Sequence, residues 1–165
     1  MPSTYDDIAD LRAQVRILRD RADLRELFDR YVTALDTYGE AEHYGPGFAE
    51  LFTEDVTFAF PIGTAAGIEG FTAFQREAGA RWARTHHLSA NHSIDLDGDR
   101  ATLRVQQLTA HVHRGGPGSA RRFEVGGHCV AGAVRTDSGW RLNRVAFHVV
   151  WDSGDRLPEL DGARL

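Results

Sequence analysis

The sequence predicts one α+β domain, with helices packed on one side of a curved antiparallel sheet. Three observations carry this. Apolar residues recur at spacings of three and four over the first 38 residues, the period of a helix. From Thr85 onward the pattern changes to period two and is interrupted by tight-turn signals. The helical segments also precede the strands, an order that separates α+β from alternating α/β proteins.

Taken in order, Ile8, Leu11, Val15 and Leu18 share one helix face, and Leu24, Leu27, Phe28, Tyr31 and Leu35 continue an apolar face. Asp20 offers an N-cap between them, so the segment reads equally as one bent rod or as two helices. Gly39 is placed to end it. Gly45-Pro46-Gly47 is a breaker, followed by a short helix carrying Phe48, Leu51 and Phe52. "VTFAFP" (56–61) alternates and is rich in β-formers, so it predicts a short strand. Residues 68–83 predict a third helix with Phe71, Phe74, Ala78 and Trp82 on its buried side. "THHLSANHSIDL" then leads through Asp97-Gly98, a hairpin signal, into "RATLRVQQLTAHVH". "RRFEVGGHCVAGAVR" and "WRLNRVAFHVVW", joined through "TDSG", complete four long strands. The domain is expected to span residues 1–152, with 153–165 as a polar tail.

A chain of 165 residues suits one core. The net charge of −5 gives no electrostatic reason to expect nucleic acid as a partner. The acidic N-terminus lacks the apolar run of a signal peptide, and no stretch approaches the roughly 20 apolar residues that span a bilayer. The single cysteine, Cys129, excludes an internal disulfide and fits a reducing compartment, so a cytoplasmic location and no membrane partner are expected.

Three histidines fall within "HHLSANH". His86 and His87 are adjacent on a strand and point to opposite faces, so they do not share a metal. His92 has the opposite parity from His87 unless a bulge intervenes. His111 and His113 share a face, but no spacing identifies a third ligand, so no metal is expected. Acid–base chemistry is the better fit. A histidine base needs a partner to fix its tautomer, and Asp36 lies in phase with Phe28, Tyr31, Val32 and Leu35. A carboxylate on an apolar face is costly unless paired. Equally, Asp36 could cap its helix, and Tyr31 could be a core aromatic with its hydroxyl at the rim. A rim role for His43 and Tyr44, beside the Gly/Pro breaker, is a guess from position alone.

"LRELFDRYVTALD", "LFTEDVTF", "THHLSAN", "GDRATLRVQQLTAHVH" and "RTDSGWRLNRV" together resemble the SnoaL-like branch of the NTF2-like superfamily. That group includes scytalone dehydratase, bile acid 7α-dehydratase and hexachlorocyclohexane dehydrochlorinase. The resemblance implies a cone, in which a strongly curved antiparallel sheet wraps three helices and encloses a pocket. It also implies a homodimer or homotrimer. By position, His87 would be the base and Asp36 its orienting carboxylate. Tyr31 would act on the substrate's oxygen, and His111 would be a second histidine able to compete for Asp36. Arg144 falls near a basic residue of the last strand in some members. The sequence departs from the family at Thr37, where a tryptophan is common, and at Cys129, where a tyrosine often follows the double glycine.

The expected function is a cofactor-independent acid–base enzyme. It would be a dehydratase, or a related isomerase or cyclase, for a hydrophobic cyclic molecule such as a polyketide, terpenoid or steroid-like compound. Phe58, Phe60, Trp82 and Phe147 are candidates for the pocket lining, and are equally good core residues. Two alternatives stand beside it: an epoxide or ester hydrolase using the same dyad, and a non-catalytic small-molecule-binding or dimerisation module.

Overall fold

The apolar spacing at the N-terminus builds one helix. In the computed structural model, which describes residues 4–37, 46–114 and 121–156, α1 runs unbroken over Thr4–Leu35. Asp20 therefore caps nothing. Its carboxylate accepts from Arg135 Nη2 at 2.7 Å and Trp140 Nε1 at 3.2 Å, and the guanidinium lies 4.4 Å over the indole ring. The adjacent guanidinium holds Asp20 below the usual carboxylate range. This cluster pins the middle of α1 to the sheet.

From Asp20 to Leu35 the inward face is buried, with Leu24 and Phe28 at 0% exposure. Toward the N-terminus the helix is open to solvent on this side. Ile8, Leu11, Val15 and Leu18 share a face, as their spacing requires, but Leu11 is 60% and Leu18 66% exposed. Spacing fixes which residues align, not whether anything packs on them. Unfolding in urea should separate the two halves. Leu24→Ala is expected to cost about 2–5 kcal/mol by leaving a cavity. Leu18→Ala should stay within about 0.5 kcal/mol.

After α2 (Pro46–Ala49), β1 covers Phe52–Phe60, so Phe52 opens a strand and does not close a helix. β2 (Gly63–Ala66) folds back on β1 through Pro61 and Ile62. α3 occupies Gly67–Ala80 and ends at Arg81, whose N–H reaches the carbonyls of Ala78 and Gly79. Trp82 accordingly begins a strand and is not part of the third helix.

The four long strands form the expected meander: β3 (Trp82–Asp97), β4 (Arg100–His113), β5 (Arg122–Thr136) and β6 (Gly139–Gly154). Gly98, at φ 58°, supplies the left-handed residue of the β3–β4 turn. The sheet order is β2-β1-β6-β5-β4-β3. β1 runs parallel to β6, so the sheet is mixed and not wholly antiparallel. The cause is topological. The chain leaves β1 through β2 and α3, enters at the far edge, and meanders back to lay β6 beside β1. The sheet is open, with β2 and β3 as its edges. Register shifts at Ala90/Ser93, Gly126/Gly127 and Gly132/Ala133 bend the strands.

α1 and α3 pack against the sheet. β6 continues through Gly154, so Ser153 and Gly154 pair with Glu124 and Phe123 where the tail was expected to begin. His43, Tyr44 and Gly39 lie outside the described residues. No described helix is long and apolar enough to cross a membrane.

Candidate active site

α1 ends at Leu35, and the next side chain, Asp36, meets the inward row of β3. Alternation along β3 points Thr85, His87 and Ser89 toward α1 and leaves His86 exposed. Three donors converge on the Asp36 carboxylate. Thr85 Oγ1 donates to Oδ1 at 2.9 Å, the His87 backbone N–H to Oδ2 at 2.8 Å, and His87 Nδ1 to Oδ1 at 2.5 Å. Burial alone would raise the Asp36 pKa, but the bonds from His87 and Thr85 outweigh it and hold the group below the usual carboxylate range. An ionised Asp36 can only accept, so Nδ1 carries a proton, and in the neutral imidazole Nε2 is then the free lone pair. His87 lines a cavity.

His92 also turns inward, against its parity. Asn91, at φ 53°, sits in the bulge that shifts the register after Ala90. The extra residue brings His92 Nε2 within 3.1 Å of Asp29, which also accepts from Ser89 Oγ at 2.6 Å. Asp29 on α1 and Asp36 just past its end, seven residues apart, clamp β3 at two points. His92 is thus structural.

His111 stands opposite Thr85 on β4 and lines the same cavity, its ring centre 6.3 Å from that of His87. It does not compete for Asp36. Its Nδ1 faces the Phe123 carbonyl at 3.2 Å. Burial, then the nearby His87, push its pKa down to about 4, so it is neutral at pH 7. His113, its partner in the metal reading, donates from Nε2 to the Asp155 carbonyl.

The cavity measures about 130 Å³ and lies between α3, the β1–β2 hairpin and the inward face of the sheet. Leu35, Phe60, Phe74, Trp82, Phe123 and Phe147 give it an apolar wall. Its walls come from the end of α1, from α3 and from the sheet; α2 contributes no lining residue.

Of the expected lining residues, Phe60, Trp82 and Phe147 are on the wall. Phe58 is not. It stacks on Phe71 in the core at 3.8 Å between centroids. Tyr31 is not on the wall either. One turn deeper than Leu35, it is fully buried among Phe28, Phe52 and Phe71. Arg144 is exposed on the outward face, because its neighbour Val145 takes the inward position. Gln107 and Thr109 were missed: both are buried and line the cavity. The signal was present, since they interrupt the apolar inward row of Ala101, Leu103 and Val105 and share parity with His111.

The profile of a family described as a SnoaL-like domain matches residues 16–146. No curated protein sequence matches the chain significantly. Among solved structures, a proposed aromatic ring hydroxylase from Novosphingobium aromaticivorans is 26% identical, with a TM-score of 0.72 over 89% of this chain and 98% of that one. A proposed scytalone dehydratase from the same species is 20% identical, with a TM-score of 0.70 over 85% and 90%. A type 3 LinA hexachlorocyclohexane dehydrochlorinase from Novosphingobium barchaimii is 15% identical, with a TM-score of 0.72 over 86% and 94%. The last two likenesses are of fold. An NTF2-like superfamily protein from Salmonella enterica shares it as well.

Proposed function

The chain belongs to the SnoaL-like domain family, and from that premise we propose that it is a cofactor-independent lyase removing water from small cyclic hydroxy-carbonyl compounds. The observation that carries the reading is the Asp36–His87 contact at the wall of an apolar cavity. In this mechanism His87 Nε2 takes a proton from the carbon beside the carbonyl. Asp36 stabilises the imidazolium that forms. The hydroxyl on the next carbon then leaves with that same proton as water, and the double bond forms between the two carbons. His87 returns to its starting state. His111, neutral at pH 7, holds the substrate hydroxyl through a hydrogen bond and does not supply the proton. Tyr31 is buried in the core and takes no part.

Size narrows the substrate. The cavity is of the order of the roughly 150 Å³ apolar void that holds a benzene ring. One or two rings fit this better than a steroid skeleton. An oligomer, expected for this family, would cover the outward sheet face, where Leu88, Leu108, Val150 and Trp151 are exposed.

The test is a panel of one- and two-ring β-hydroxy ketones, followed by the ultraviolet absorbance of the conjugated enone. Turnover that disappears in His87→Gln is the expected result. Binding without turnover across the panel would favour a ligand-binding module. Hydrolysis of epoxide or ester analogues by the same residues would replace elimination with water activation.

A further inference from the structure

We infer that Gln107 and Thr109 form a carbonyl-binding subsite in the cavity, selecting small cyclic ligands whose ketone oxygen accepts hydrogen bonds from both. The inference rests on the cavity being the reacting site and names the group that would orient a substrate there.

Along β4 the inward row changes from Ala101, Leu103 and Val105 to Gln107, Thr109 and His111. Gln107 is 8% and Thr109 3% exposed, and polar groups so buried are costly without partners. Their protein partners satisfy them only in part. Gln107 Oε1 accepts from the Cys129 thiol at 3.0 Å, and Gln107 Nε2 makes one long bond, 3.4 Å, to Thr109 Oγ1. A primary amide has two N–H donors and a hydroxyl has one. One Nε2–H and the Thr109 O–H therefore remain for the cavity that both side chains line.

Cys129 sets which way the amide points. Burial pushes its thiol up to about 12, so it stays protonated and donates. With Oε1 occupied by S–H, the nitrogen end faces the ligand. Cys129 is thus a positioning residue.

The register gives the subsite its polarity. His87 pairs directly with Thr109 across β3 and β4, and their inward side chains are neighbours. A carbonyl oxygen held by Gln107 and Thr109 leaves the adjoining carbon on the side of His87 Nε2. Acceptor nitrogens on one side and donors on the other fit a carbonyl compound better than a hydrocarbon or an ammonium ion.

The probes are acetophenone and ethylbenzene, which match in shape and differ in the acceptor oxygen. Their affinities would be titrated by NMR, following the backbone amides of His87 and His111, which line the same cavity and are present in every variant. The wild-type chain should bind acetophenone at least about tenfold tighter, in line with one to two hydrogen bonds. Gln107→Leu should erase that preference while ethylbenzene affinity holds. Cys129→Ala should weaken it, and Cys129→Ser, which restores a donor, should recover it. If Gln107→Leu folds poorly, Thr109→Val carries the test, with a partial loss expected. An equal affinity for the two probes, no detectable binding of either, or a preference that survives both Gln107→Leu and Thr109→Val overturns the subsite. A Gln107-dependent preference in a protein that turns over no β-hydroxy ketone would keep the subsite and reject the lyase.

Discussion

Asp36→Asn is expected to lower turnover by about 10²–10⁴-fold, the range of a lost general base, and to leave ligand affinity unchanged. The hydrogen bonds give the reason. The His87 backbone N–H is a fixed donor and cannot be turned, so the single oxygen of the new amide must face it in place of Oδ2. The NH₂ then occupies the Oδ1 position, opposite His87 Nδ1. Thr85 can adapt, because a hydroxyl rotates and accepts. The imidazole can adapt only by moving its proton to Nε2, which removes the lone pair needed in the cavity. The substitution is nearly isosteric and should preserve the cavity while inverting the tautomer. Imidazole ¹⁵N shifts would report that inversion independently of any substrate. A variant that keeps the Nδ1–H tautomer, or keeps full activity, would sink the dyad.

The Nδ1–H tautomer of His87 depends on contacts that the sequence shows only in part. Periodicity placed Asp36 in phase with the buried face of α1, and alternation placed His87 on one face of β3. Neither could state that Thr85 and the His87 N–H also point at the carboxylate, since that depends on how α1 docks. Tyr31 shows the same limit. Its phase was legible, but its depth was not, and one turn of helix separates the core from the cavity wall. The bulge at Asn91 was hidden because one inserted residue reverses parity, and only an asparagine tolerant of positive φ marks it. Local pattern was sufficient for the four long strands, where alternation and Asp97-Gly98 agree. It was silent on β2, four small residues made a strand by pairing with β1. It was equally silent on the parallel β1–β6 pair, because a strand's partner is not written in its own alternation. Gln107 and Thr109, by contrast, could have been found from parity alone.

Lowering the pH should destabilise the fold in a window that belongs to His111. In the unfolded chain its imidazole protonates near 6.5, and in the folded chain only at about 4. Between those values the unfolded state holds a proton that the folded state refuses, so stability falls as pH drops through the window and levels off below it. The displacement corresponds to at most about 3 kcal/mol. Burial is the main cause, and the neighbouring His87 adds to it; Asp36 and the Phe123 carbonyl act in the opposite direction. Asp20 and Asp36 cannot mimic the effect. Their pKa values are lowered from 3.8, so their contribution is lost only at pH below the His111 window. His128, lowered by burial and then by Arg104 and His148, has the same sign and is present in both proteins compared. The measurement is urea unfolding of the wild type and His111→Phe at steps from neutral pH to about pH 4. A shallower slope in the variant, with only the share of His128 left, places the refused proton on His111. It would also explain why this imidazole, beside the base, cannot be the acid: kept neutral by burial, it has no proton to give at Nε2 while Nδ1–H is held by the Phe123 carbonyl. Parallel slopes in the two proteins would return His111 to the list of candidate acids, and the single-histidine proton cycle of His87 would lose its main support.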